Sequence, residues 1–413
     1  MSDFDWTRFS DAASEALLHA AEELLASVGD ETPYGLALTS FYAETTGPIY
    51  LPMLALGTEE TLDHPEWRWS APDFEHIDEE WLVDEWPERL VEAVDGLPRT
   101  EWETAHQRYE QTMLDAMTRT RTALVTQGKV PSTIVCFLDD FEDGALIRRS
   151  LTEEEISEHF PHLLAADTEL AKLRELPRDT QAQRLAEIVG LTPNKAPSSI
   201  PSETAWPMFL DHETLAVPYA IAALDTTETR WIAARALAML GVRSPVVLAA
   251  LRDELGAADD PPGRAWVARA VGLLGAGQGL LAGRDLPPEI VVAGIAAPYR
   301  SHDDARSLDP LDYGLLAEAL EREELATGIA TSLAPGTGVR TLVEADVPGA
   351  VSGLDSPHPL VRQHAVMALN DGLSPMGRLD VPDHLRREIR ARITHLEQRD
   401  PDPVVRRLAG ITY

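Results

Sequence analysis

The side chains best suited to chemistry in this chain are scattered and do not stand at reactive spacing. His159 and His162 are a close histidine pair, but Phe160-Pro161 between them marks a helix end, and no cysteine or acid stands at ligand spacing. Asp139, Asp140, Glu142 and Asp143 offer oxygens to a hard cation, without the spacing of a calcium loop, so a solvated turn is expected. Gly275-Ala-Gly-Gln-Gly279 has the glycines of a nucleotide loop. It follows a helix and not a strand, which reads as a helix-ending loop. Gly128-Lys129 is followed by Val130 and lacks the earlier glycine of a phosphate loop, and Gly-x-Ser-x-Gly does not occur. Cys136, the one cysteine, sits between Val135 and Phe137 and reads as a buried thiol. His106, His358 and His364 have no evident nucleophile or orienting partner. No catalytic residue, metal or cofactor is expected.

Charge is the stronger signal. The net charge is −34, and residues 1–199 carry 40 acids against 15 Lys/Arg while residues 200–413 carry 29 against 20. Such a field repels a phosphate backbone and steers basic molecules inward. Nucleic acid is therefore not an expected partner, and a basic protein is. The same charge also serves plain solubility. It is densest over residues 73–103, where 12 acids face only Arg89 and Arg99, with Trp81, Trp86 and Trp102 interleaved and Trp67 and Trp69 just before. Two readings stand. On a surface for a basic protein, rings anchor while carboxylates steer and select, which makes Trp67, Trp69, Asp73, Glu75, Asp78, Trp81 and Trp86 candidate partner contacts. Alternatively, the tryptophans fall at helical spacing and belong to the core of helices with acidic outer faces. Arg (32) far outnumbers Lys (3), which reflects a GC-rich genome and not function. No apolar run approaches the length that crosses a bilayer. The acidic start Met-Ser-Asp-Phe-Asp-Trp and the lone cysteine lead to the expectation of a cytoplasmic protein without a secretory leader.

The elements that must carry these residues fall into two kinds. Residues from about Asp5 to Val28 form one amphipathic helix through Phe9, Ala13, Leu17, Ala20 and Leu24. Strand-like runs Tyr34–Tyr42 and Ile49–Leu56 flank the turn Ala43-Glu-Thr-Thr-Gly-Pro48 and predict a hairpin. Helical patterns follow at about Glu80–Val94 and Arg99–Thr126, then an apolar strand at Pro131–Leu138. Thr152 and Glu155 form a capping-box signature. This is an α+β domain, a small sheet covered by helices, over residues 1–190. Its ordered motifs Tyr34-Gly-Leu-Ala-Leu, Leu56-Gly-Thr-Glu-Glu-Thr-Leu62, Arg68-Trp-Ser-Ala-Pro-Asp-Phe74, Ile134–Leu138 and Arg148-Arg-Ser-Leu-Thr resemble the bacterial DUF4303 family over about residues 5–165. The resemblance implies a fold and no active site, that family being of uncharacterised biochemistry. It also implies kinship with bacterial accessory proteins around toxin–immunity systems.

Pro193–Pro201 has loop composition, which sets a linker at residues 191–202 and a second domain at 203–413. There one helix pattern recurs. Arg230 is followed by Ala233, Ala236, Leu237 and Leu240; Arg264 by Val267, Ala270, Val271 and Leu274; Arg362 by Ala365, Ala368 and Leu369; Arg406 by Ala409. The leading arginines lie 34, 98 and 44 residues apart, so the wide middle gap should hold about two further helix pairs. Asp260-Pro-Pro-Gly-Arg264, Asp355-Ser-Pro-His-Pro-Leu-Val-Arg362 and Asp402-Pro-Val-Val-Arg406 resemble bacterial HEAT-repeat proteins, which implies an all-α solenoid. Each motif sets an Asp in the turn before a second helix, where its carboxylate can meet free N–H groups, and an Arg that can bridge to an Asp of the adjacent repeat. The ladder Arg230, Asp260, Arg264, Asp355, Arg362, Asp402 and Arg406 is expected to be architectural.

Together these features predict a non-catalytic protein-interaction module, in its sharpest form an immunity-like or regulatory protein that occludes a basic partner. The competing readings are an enzyme or enzyme activator with a site in the concave face of the solenoid, and an adaptor with one ligand per domain.

Overall fold

Asp5 accepts a hydrogen bond from the Arg8 N–H at 3.1 Å and so opens α1 (Trp6–Ser27) in the computed structural model. The structure describes residues 4–82, 85–140, 144–193, 197–257, 260–283, 285–301, 305–374, 379 and 381–411. Along α1, Phe9, Ala13, Leu17, Ala20 and Ala21 form the buried stripe. Strands β1 (Pro33–Thr39) and β2 (Met53–Thr58) then pair antiparallel, with Leu36 opposite Leu56 and Leu38 opposite Leu54. This is the expected hairpin with shorter arms, and a bridge from Ala43 to Ile49 ties its long connection. A short strand that the spacing does not announce, β3 (His76–Asp78), adds to β2. The next elements are α2 (Trp86–Val94), α3 (Arg99–Thr126) and β4 (Val135–Leu138), which lies parallel to β1 and completes the order β3-β2-β1-β4. α3 has the bounds its pattern indicates. α2 begins later than Glu80, because Pro87 fits in a first helical turn, where no N–H is needed, and not further inside.

Both faces of this sheet are covered. α1 and α3 lie over Leu36, Leu38, Leu54, Leu56, Cys136 and Leu138. The other face, with Ala37, Ala55, Val135 and Phe137, meets α4 (Ala145–Ser150), α5 (Glu153–His159) and the first residues of α6 (Pro161–Glu175). Burial on both sides is why the strands read as unbroken apolar runs. The capping box at α5 is present: Glu155 N–H donates to Thr152 Oγ1 at 3.3 Å, and Thr152 N–H to Glu155 Oε2 at 2.9 Å.

The chain divides into compact units at 1–169 and 170–413, within α6 and ahead of the proline-rich loop expected as the linker. Residues placed by composition at the end of the first domain, Leu173, Leu185 and Ile188, and in the linker, Leu191 and Ile200, join the second core and are buried among its helices. A loop can be rich in proline and still be anchored by one apolar side chain, and Ile200 does this here.

The second unit is all helical among the described residues. After α7 (Arg178–Ile188) and α8 (Ser202–Leu210) come α9 (Val217–Ala222), α10 (Thr227–Leu240), α11 (Pro245–Ala257), α12 (Pro261–Leu273), α13 (Gln278–Ala282), α14 (Pro288–Ala296), α15 (Gly314–Leu320), α16 (Glu323–Ser332), α17 (Val347–Gly353), α18 (Pro359–Leu373), α19 (Asp383–Arg399) and α20 (Pro403–Ala409). Odd- and even-numbered helices from α9 pair in sequence, and the even ones stack, α10 on α12, α12 on α14, α14 on α16, and α18 on α20. Two pairs, α13/α14 and α15/α16, fill the gap between Arg264 and Arg362.

Small residues set the closeness of this stack. A Cβ on Gly272 of α12 would stand 2.0 Å from the Gly294 carbonyl oxygen of α14, so the two backbones touch. Gly272→Ala is expected to lower stability by about 1–3 kcal/mol through overpacking, read as a lower urea midpoint. An unchanged midpoint would show that the helices separate freely.

Candidate functional site

The acidic, tryptophan-bearing segment of the first unit turns most of its rings inward. Trp81 and Trp86 are not partner contacts: each is more than nine-tenths buried. Trp81 Nε1 donates to the Pro52 carbonyl at 2.6 Å, while Trp86 packs on Phe4 and Phe9 with Arg89 over its face. A ring carries more apolar area than any other side chain, so burying it against α1 outweighs leaving it in water for steering. Trp102 is likewise held, its Nε1 donating to the Gly47 carbonyl at 2.8 Å. Trp69 is half-buried between Tyr34, His159 and Phe160. Only Trp67 among the candidate rings is open, 49% exposed, with His64 against it at 4.3 Å.

The acids face out. Asp63, Glu66, Asp73, Glu75, Glu79 and Glu80 are exposed and Asp78 half-buried. Asp73 Oδ2 accepts from Ser70 Oγ at 2.6 Å, and Ile77 of the edge strand β3 stands out with 38% exposure. Arg68 is drawn back from this surface, bound by both guanidinium nitrogens to Glu59 and lying 4.1 Å above the Tyr34 ring. Behind it, Glu31 Oε2 accepts from Thr58 Oγ1 at 2.6 Å and lies 3.0 Å from His76 Nε2, and these contacts hold its carboxyl below the usual range. At the opposite end of the hairpin, Tyr42 and Tyr50 are exposed and face each other at 5.7 Å. The sequence reading missed that pair; its signal was two aromatics flanking a turn.

The residues weighed for chemistry are arranged for structure. Burial pushes the Cys136 thiol up to about 12, far from a reactive thiolate. Of the acidic turn, Glu142 and Asp143 lie outside the described residues, and Asp140 Oδ2 accepts the Leu146 N–H at 3.0 Å. Among the described residues no group of three His, Cys, Asp or Glu is placed to hold a metal ion, and no helix is long and apolar enough to cross a membrane.

In the second unit the ladder forms in part. Arg230 on α10 reaches Asp260, before α12, at 3.3 Å and Glu254 at 3.0 Å. Arg362 on α18 grips the buried Asp400, before α20, through bonds of 2.7 and 2.9 Å. Each holds the other's ionised form, Arg362 pushed up and Asp400 held down. Asp402 meets the free N–H groups of α20 as expected, its Oδ1 accepting from Val404 and Val405 at 2.8 and 3.0 Å, so the counter-ion of Arg362 is Asp400, which the motif does not mark. Asp260 departs from the expected capping role, serving Arg230 and leaving the N-terminus of α12 without a side-chain cap. Arg264 and Arg406 bind carbonyls of their own helix pairs, Leu255 at 2.8 Å and Asp400 at 2.5 Å. Asp355 pairs with Arg392 on the surface.

A buried polar seam joins the irregular middle to α17 and α18. Asp346 is fully buried, and its carboxylate accepts from Arg340 and Arg306 at 2.7 Å each, from Leu311 N–H at 2.9 Å and from Val343 N–H at 3.1 Å. Beside it, His364 Nε2 lies 2.5 Å from the Tyr299 carbonyl, which can only accept. The proton is therefore on Nε2, and Nδ1 accepts from Tyr313 Oη at 2.7 Å. Burial of this neutral ring lowers the His364 pKa to about 4.

A groove of about 540 Å³ opens along α12, α14 and α16, with Arg269 and Arg300 on its walls. Neither arginine was singled out from sequence: Arg269 lies inside the Arg264 repeat but off its apolar stripe, and Arg300 lies where no repeat motif marks it. Their signal was the break in the ladder at α14, which is preceded by Asp285-Leu-Pro-Pro288 but lacks the motif's arginine.

No protein family, curated protein or solved structure matches the chain.

Proposed function

We propose that this protein binds another protein, a basic one, and that the acidic face of its first unit does the binding. The carrying observation is that Asp73, Glu75, Glu79 and Glu80 are exposed in the same stretch of chain as the exposed Trp67 and Ile77. Residues 1–169 hold 37 acids against 10 Lys/Arg, while residues 170–413 hold 32 against 25. Carboxylates in that density steer a cationic partner over distances where contact residues do not act. One open ring and one open aliphatic side chain supply an anchor. The resemblance of residues 5–165 to the DUF4303 family supports the sharper form, an immunity-like or regulatory protein that occludes a basic toxin such as a nuclease. The stacked helix pairs of the second unit serve as a frame in this reading.

Affinity capture from the native host with the intact chain, partners identified by mass spectrometry, tests it. A partner of high isoelectric point is expected. Its association rate should fall about ten- to a hundredfold when Glu75, Glu79 and Glu80 are changed to Lys at low salt. Recovery of only acidic or metabolic proteins, or a rate indifferent to charge reversal, would sink the reading.

A further inference from the structure

The groove along α12, α14 and α16 holds two arginines, Arg269 and Arg300, that make no ion pair among the described residues. The buried arginines of this unit are tied to acids: Arg230 to Glu254 and Asp260, Arg340 to Asp346, Arg362 to Asp400. Arg269 has no hydrogen bond or ion pair among the described residues and rests with its guanidinium 4.7 Å above the Trp266 ring. Arg300 donates through Nη2 to the Thr337 carbonyl at 3.0 Å, while its Nε is buried without a partner. The two are close enough that Arg300 and burial together weaken the proton affinity of Arg269. Like charges brought together in a chain of net −34, with acids plentiful, destabilise the empty fold. Such a cost is found where a ligand repays it.

The geometry points to this groove as a binding site for a small phosphomonoester with an apolar body, held at its dianionic head by Arg269 and Arg300. Two guanidinium groups match a double negative charge and present fork-shaped donors to phosphate oxygens. The Ser332 hydroxyl is a third donor on the wall. Val292, Ala293, Ala296 and Gly328 give an apolar floor, and the volume is that of a small-molecule site. Glu289 and Glu324 also line the groove and are exposed. Their charge opposes a continuous polyanion more than a single compact head, which separates this ligand from nucleic acid. The site lies wholly within the second unit and is independent of the acidic surface of the first.

Calorimetric titration of the full chain with phenyl phosphate, inorganic phosphate and benzoate tests the assignment. Phenyl phosphate is expected to bind saturably, and inorganic phosphate, lacking a body, and benzoate, lacking the second charge, each about tenfold more weakly or worse. Arg269→Gln should weaken phenyl phosphate by about tenfold or more and leave the melting temperature of the free chain unchanged or slightly raised, because Arg269 makes no hydrogen bond and its loss relieves the repulsion from Arg300. Arg300→Lys, which keeps charge and loses the fork, should give a smaller loss. Absence of saturable heat with phenyl phosphate, or equal affinity in wild type and Arg269→Gln, overturns the site. Benzoate binding as tightly as phenyl phosphate overturns the dianion, and inorganic phosphate binding as tightly overturns the apolar floor.

Discussion

Asp346→Ala is expected to destabilise the second unit by about 3–5 kcal/mol. The substitution removes the only carboxylate that Arg340 touches among the described residues, and Arg340 keeps just 4% of its side chain in contact with solvent. A guanidinium left unpaired at that depth cannot shed its proton as a lysine would, so the fold must open to hydrate it. Two backbone donors, Leu311 N–H and Val343 N–H, lose their acceptor in the same step. The surface pair Asp355–Arg392, whose side chains are 69% and 35% exposed, provides the contrast. Its removal should cost about 0–1 kcal/mol. Hydrogen exchange at the amides of α17 and α18 in the intact chain measures both, and similar losses of protection in the two variants would refute the difference.

Acid should weaken the same region in a window set by His364. The ring is neutral and fully buried, with a pKa of about 4 against 6.5 for a free histidine. Between those values the unfolded chain binds a proton that the folded chain refuses, so stability falls as pH falls. The contribution is complete above about pH 6.5 and is lost down to about pH 4, a change of about 3 kcal/mol. Asp400, held low by Arg362, acts in the same direction but further down, as pH drops through its folded value. Urea midpoints taken from pH 7 to pH 4 should therefore decline early. In His364→Gln, which offers an acceptor and a donor without titrating, the decline above pH 4.5 should largely vanish; an equally steep slope in that variant would assign the effect elsewhere.

Much of the architecture is legible from spacing alone. The apolar stripe of α1, the extent of α3, the Thr152–Glu155 cap and the leading arginines of the helix pairs are local patterns, and local geometry dictates them. Less is legible where two side chains compete for one role. Asp400 and Asp402 both precede α20, and only the positions of the Val404 and Val405 N–H groups decide which becomes the cap and which the counter-ion. Trp81 and Trp86 share a segment with twelve acids, and periodicity says they lie on one side without saying whether that side meets water or α1. The Asp346 seam and the Arg269–Arg300 groove depend on contacts between residues some 30 to 65 positions apart, in a stretch with no motif to align them.

The seam also changes how the second unit would respond to a pull. From α10 to α16 neighbouring second helices meet side by side through apolar residues and bare backbone, with the Arg230–Asp260 pair added at α10 and α12, but α16 has no comparable side-by-side contact with α18 among the described residues. There, Asp346, Arg340, Tyr313 and His364 provide the ties. Apolar contacts can slide and re-form under load, whereas a directional ion bridge fails over a short displacement and admits water when it does. Under tension the helix row would part first at this junction, leaving two blocks intact, and it would rejoin at the same place because only one arrangement satisfies every donor around Asp346.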